Sequence, residues 1–174
     1  SKSSAAEIFP FERDSLRIRN MSRGLTAYFS RTGKNYVNGK IMNLSVGNTS
    51  VIAGKIKDIT GADLFEIQTV KKYPDDYTEA TEVSREEQRN NARPEIKGTV
   101  KDVTDYEIIY LGYPNWWGTM PMALFTFLES CDLSGKTIAP FCTHEGSGLG
   151  RSINDIRRLC PDSIVLKGLA IRGS

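Results

Sequence analysis

The chain has 174 residues, with 23 Lys and Arg against 21 Asp and Glu for a formal net charge of +2, a balance that gives no field arguing for nucleic acid or an anionic membrane as partner. Hydrophobic residues make up 39% and charged residues 25%, as in soluble globular proteins, and no apolar run approaches the roughly 18 residues of a membrane span. The length is that of one domain. Cys131, Cys142 and Cys160 are odd in number and lack CxxC spacing, which fits a reducing compartment. No apolar stretch follows the polar start, so no secretory signal is expected in this chain and the cytoplasm is the expected location.

Residues 1–24 carry no helical or strand period and read as an N-terminal extension; 25–174 reads as the domain. Residues 25–29 form a short apolar strand ending in Ser-Arg-Thr-Gly. The pair Asn38-Gly39 then marks a two-residue turn, and hence a hairpin inserted in the first loop. The positions of Val51, Ile52, Ile56 and Ile59 predict a helix over 49–59, with Asn48 as its N-cap and Gly61 as a left-handed C-cap residue. Residues 64–68 read as a strand and 77–91 as a charged surface helix closed by Arg93-Pro94. A strand over 108–113 is followed by a helix that starts with Pro121 in its first turn and runs to Glu129. Residues 137–142 form the next strand, 151–159 a helix stopped by Pro161, and 163–171 a fifth strand. Five apolar strands separated by helices require crossovers, hence a parallel sheet with both faces covered. One further helix would be expected after the fifth strand; either it is missing from this sequence or another element or subunit covers that face.

Ligands of open parallel sheets bind where loops leave the C-terminal strand ends at the topological switch point. The first such loop, Ser30, Arg31, Thr32 and Gly33, resumes after the hairpin as Gly47, Asn48 and Thr49 at a helix start. Hydroxyls, an amide and backbone N–H groups there suit a terminal phosphate; the alternative is an ordinary capped loop. The second loop, Pro114, Asn115, Trp116, Trp117, Gly118 and Thr119, carries paired tryptophans suited to a flat ring, or to capping the core edge. In the third, Thr143, His144, Glu145, Gly146, Ser147 and Gly148, glycines let the backbone approach a ligand edge. His144 is the one histidine and the candidate for a catalytic role, against a structural one. A phosphate-binding Walker loop, a dinucleotide fingerprint and a nucleophile elbow all fail on spacing, and no metal site is supported. A phosphate loop with two loops fit for a planar ring leaves a flavin mononucleotide (FMN) as the economical ligand.

These runs, together with Ala62 to Ile67 and Pro140 to Cys142, resemble the flavodoxin-like family, in particular its small bacterial FMN-binding members, from Leu25 onward. The resemblance implies a three-layer αβα fold with a five-stranded parallel sheet in the order 2-1-3-4-5. It assigns Ser30, Arg31, Thr32, Asn48 and Thr49 to the phosphate, and Pro114 to Gly118 and Thr143 to Gly148 to the borders of the isoalloxazine ring. The hairpin splits the family's continuous phosphate loop, which leaves open the roles of Gly33, Gly47 and Lys34. Two activities follow from the resemblance: an electron carrier docking on a redox partner protein, or a reductase passing hydride from NAD(P)H to a quinone or similar acceptor. Carriers of this family are typically strongly acidic, and a net charge of +2 moves weight toward the reductase. A third reading is a flavin-binding or interaction module without turnover, with the uncovered sheet face forming a homodimer.

Overall fold

The computed structural model describes residues 23–37, 40–44, 47–100 and 102–172. Its elements in chain order are β1 (Gly24–Tyr28), β2 (Gly33–Val37), β3 (Lys40–Leu44), α1 (Asn48–Thr60), β4 (Asp63–Glu66), α2 (Tyr77–Arg89), β5 (Ile108–Pro114), α3 (Met122–Ser130), β6 (Thr137–His144), α4 (Ser152–Leu159), β7 (Ile164–Val165) and β8 (Leu169–Arg172). The main sheet runs β4-β1-β5-β6-β7, with β8 also on β6, and its pairings are all parallel. Without the hairpin strands, this is the expected 2-1-3-4-5 order. No helix among the described residues is long and apolar enough to cross a membrane.

Side chains alternate across the central strands because the strand repeat is two residues. Leu25 and Ala27 of β1, Ile109, Leu111 and Tyr113 of β5, and Ile138 and Cys142 of β6 join Leu124, Phe127 and Ile156 from α3 and α4 in the main core. The opposite face carries a smaller cluster of Tyr28, Ala53 and Phe141, with Ile52, Ile56, Tyr110 and Ile171 packed against it. Phe141 reaches across the sheet here because Gly112 has no side chain: a Cβ would lie 2.1 Å from its ring.

Several local expectations are corrected. Gly24 is already the first residue of β1, opposite Ile108, and Arg23 pairs with Asp63 at 3.2 Å, so both belong to the domain. Gly47, rather than Asn48, is the N-cap of α1; Gly61 does end it in the left-handed region at φ +72°. Of the apolar residues that predict the inner face of α1, Ile52 and Ile56 do pack against the smaller cluster, whereas Val51 and Ile59 are 44% and 69% exposed; the fully buried positions are Thr49 and Ala53, because small residues do the closest packing. Pro121 is an N-cap, one residue before α3. The fifth strand is broken into β7 and β8. Between the pairs Ile138–Val165 and Phe141–Leu169, β6 advances three residues and its neighbour four, which is a bulge, with Gly168 in it at φ +82°. The inserted hairpin is present as β2 and β3, antiparallel with Val37 opposite Lys40; the turn pair Asn38-Gly39 itself lies outside the described residues.

Candidate functional site

β1, β5 and β6 are adjacent in the sheet, so the loops leaving their C-terminal ends converge. They border one cleft of about 320 Å³ lined by residues of all three, including Arg31, Asn48, Thr49, Pro114, Trp116 and Thr143. The class of site is thus the switch-point crevice of a doubly wound sheet.

At one end of the cleft is the first turn of α1, whose leading N–H groups have no partner within the helix. Gly47 supplies no side-chain cap, and no acidic residue stands in this turn. The cap comes from β1's loop instead: Ser30 Oγ accepts from Ser50 N at 3.1 Å. Gly47 permits this contact, since a Cβ there would sit 2.1 Å from Ser30 Oγ and 2.6 Å from the Arg31 carbonyl oxygen. Arg31 donates to the Pro74 carbonyl at 3.0 Å and the Asp75 carbonyl at 3.4 Å, tying this loop to the start of α2, and burial lowers its pKa from the ordinary value. Thr49 Oγ1 and Thr143 Oγ1 lie 2.8 Å apart in a buried hydrogen bond, which locks the α1 end to the β6 end.

The tryptophan loop is a tight turn. Trp116 N donates to the Thr119 carbonyl at 2.7 Å, and Trp117 and Gly118 between them have φ +55° and +84°, the positive values of a type I′ turn. For a tryptophan that conformation is strained. Its indole N–H compensates by donating to the Thr81 carbonyl and Ser84 Oγ, each at 3.1 Å. Trp116 is held edge-on by Phe29 and Tyr73, with ring centroids 5.2 Å away in both cases. Asn115 brackets two loops: its Oδ1 accepts from Gly118 N at 3.0 Å and its Nδ2 donates to the Gly148 carbonyl at 2.9 Å. Arg151 N donates to the Gly118 carbonyl at 2.8 Å, an approach possible because a Cβ on Gly150 would lie 2.1 Å from that oxygen.

In the third loop, His144 Nδ1 accepts from Gly146 N at 2.9 Å, so a neutral ring carries its proton on Nε2. Gly146 and Gly148 have positive φ. Cys142, beneath the loop, is buried and its thiol is pushed up to about 12 by that burial, which removes it as a nucleophile at neutral pH.

Of the residues singled out from the sequence, Arg31, Asn48, Thr49, Pro114, Asn115, Trp116, Thr143, His144, Glu145 and Ser147 line the cleft. Ser30 acts behind it as the cap of α1. Thr32 is exposed and lines none of the cavities described, and Gly33 begins β2. Gly118, Gly146 and Gly148 shape the loops, and Trp117 turns toward α2 instead of the cleft. Tyr77 also lines the cleft and is not among the residues that the sequence singles out; its cue is an aromatic residue directly after the capping Asp76, at the C-terminal end of the β4 connection.

The sequence profile of the flavodoxin family matches residues 23–174. The chain belongs to the flavodoxin family. Among solved structures, it is similar to a protein of Bacteroides eggerthii assigned as a flavoprotein, at 30% identity and TM-score 0.72, over 86% of this chain and 88% of that one. A second such protein, from Bacteroides uniformis, is 27% identical with TM-score 0.71, over 88% and 92%. A Lactobacillus acidophilus flavoprotein solved in complex with FMN shares the fold at 20% identity and TM-score 0.64, over 87% and 93%. No curated protein matches the chain. Family membership supports FMN as the cofactor, and the residues fit it: a helix start free of acidic residues, with the Ser30 hydroxyl set against a glycine cradle, at one end of the cleft, aromatic and glycine-bearing loops at the other.

Proposed function

We propose that this chain is an FMN-dependent redox protein acting as an NAD(P)H-dependent reductase of small acceptors such as quinones. The observation that carries the cofactor reading is the single cleft joining the first turn of α1 to the loops after β5 and β6. Bound FMN supplies a ring system able to take up and release one or two electrons. The Asn48 and Thr49 amides would bind its phosphate over the turn that Ser30 caps from behind, and the helix dipole and the Arg31 charge favour an anion there. Pro114 and Trp116 on one side and Thr143 to Ser147 on the other would hold the ring and exclude water. His144 carries a proton at Nε2, within the cleft lining, and is the candidate donor to an acceptor oxygen.

A net charge of +2 supports a small acceptor over docking on a basic redox partner, for which an acidic surface is the complementary one. The test is direct. Protein purified with FMN should be yellow, keep its pigment through gel filtration, and oxidise NADPH in the presence of a naphthoquinone. Loss of pigment on gel filtration after saturation would overturn the cofactor assignment; retained pigment with no NADPH or NADH turnover would favour the electron carrier.

A further inference from the structure

We propose that a second cavity, beside the cofactor cleft, binds a flat aromatic molecule of one or two rings that carries a carbonyl or carboxylate oxygen; its place in the reaction rests on the reading of the cleft as the FMN site. This cavity measures about 340 Å³, in the size range of small-molecule sites and too small for a whole dinucleotide. One wall is α2, where Ala80, Thr81 and Ser84 present small side chains. The other wall is Trp116 and Trp117. A cavity lined by small side chains and two indoles suits a planar occupant, because stacking on an aromatic face gains contact over the whole ring.

Both indoles are held in place before any ligand arrives. Trp117 hydrogen-bonds to α2 through Nε1, carries the Arg85 guanidinium 4.4 Å from its ring centre, and accepts at its carbonyl from Gln88 Nε2 at 3.3 Å. It is still 41% exposed, an unusual state for a large apolar ring fixed at positive φ. Strain of this kind persists where the surroundings over-determine it, and it clusters at ligand clamps. Arg31 and Asn115 line the same cavity, and the guanidinium charge of Arg31 favours an electronegative oxygen there.

The location argues for a reactant. Arg31, Tyr77, Asn115 and Trp116 line both this cavity and the cofactor cleft, so occupants of the two share side chains. A molecule in the second cavity would sit against the border of the cleft, where an acceptor is needed.

The experiment uses 2-naphthoate, a flat and redox-inert two-ring carboxylate, titrated calorimetrically into the FMN-treated chain, with FMN retention measured on the same samples by absorbance. Cyclohexanecarboxylate is the non-aromatic control. The wild type should bind 2-naphthoate at one site and cyclohexanecarboxylate at least tenfold more weakly. Thr81→Leu, which fills the cavity, should weaken 2-naphthoate at least tenfold while leaving FMN affinity unchanged; Thr81→Gln serves if the leucine variant does not fold. The proposal is overturned if the wild type does not bind 2-naphthoate, if the Thr81 variants bind it as the wild type does, or if FMN and 2-naphthoate compete. Absence of FMN from the wild type would sink the cofactor reading alone, because the naphthoate titration of the same chain still decides the second cavity.

Discussion

Ser30 and Gly47 are far from conspicuous in the sequence, yet the start of α1 depends on their contact. Gly47→Ala would put a methyl against Ser30 Oγ and, less forgivingly, 2.6 Å from the Arg31 carbonyl oxygen. It should cost about 1–3 kcal/mol of stability and weaken FMN at least about tenfold, as read by denaturation and by quenching of flavin fluorescence. Thr49 and Thr32 separate the lining of the cleft from its surroundings. Thr49→Ala leaves the buried Thr143 hydroxyl short of its partner and should lower stability by about 1–3 kcal/mol, whereas Thr32→Ala, at an exposed position, should stay within about 0.5 kcal/mol. Equal effects in urea unfolding would contradict this division.

Glu87 gives a pH-dependent case. Burial raises its pKa above the ordinary glutamate value, although the Tyr73 hydroxyl donates to it at 3.0 Å and opposes the rise. Between the unfolded and the raised folded pKa the native state holds more protons than the unfolded chain, so stability must fall as pH rises through that window. Glu87→Gln keeps an acceptor for Tyr73 without the charge. It should remove this part of the pH dependence and stabilise the protein at neutral pH, as measured by unfolding across pH 4 to 8.

At the scale of elements, α2 does more than its charged sequence suggests. Asp76 caps it, accepting from Glu79 N at 3.0 Å, and its first residue, Tyr77, lines the cleft. Asp76→Ala should cost about 1 kcal/mol and be visible in thermal unfolding. The same helix anchors the tryptophan loop through Thr81 and Ser84, so one wall of the second cavity holds the other in position. The end of that loop is braced separately: Thr119 Oγ1 donates to Asp155 of α4, a 6%-exposed carboxylate that also pairs with Arg158 at 3.2 Å. The bulge at Gly168 is an element-scale feature too. A β-carbon there would lie 2.7 Å from Ile153 Cδ1, so α4 packs against the bulge and breaks a strand that the apolar pattern presented as continuous.

At the scale of the molecule, a ligand that binds only the native state stabilises it by mass action. FMN at about 100 times its dissociation constant should add about 2.7 kcal/mol to the unfolding free energy. An unchanged melting temperature on saturation would remove FMN as the ligand of this cleft. The two sheet faces are unequally covered: the main core lies on the side of α3 and α4, and the smaller cluster under α1 leaves Val51 and Ile59 exposed.

The strands, the crossover helices, the inserted hairpin and the three loops were legible in the sequence because each rests on local rules: apolar runs, a two-residue turn pair, and glycine or proline at helix ends; the strand order came from the family resemblance. Which members of those loops face the cleft was not legible. Trp116 and Trp117 are chain neighbours of the same type, yet positive φ at Trp117 sends one indole to α2 while the other stays beside Phe29 and Tyr73. Ser30 caps a helix that begins some twenty residues later, and Tyr77 enters from an element separated from the cleft loops in sequence. Local periodicity and turn chemistry therefore determined the elements, the parallel sheet and the loops where a ligand would sit, and the family resemblance supplied the order of the strands. Contacts between residues distant along the chain, which no spacing rule encodes, decided which side chains would meet it and that a second cavity lies alongside.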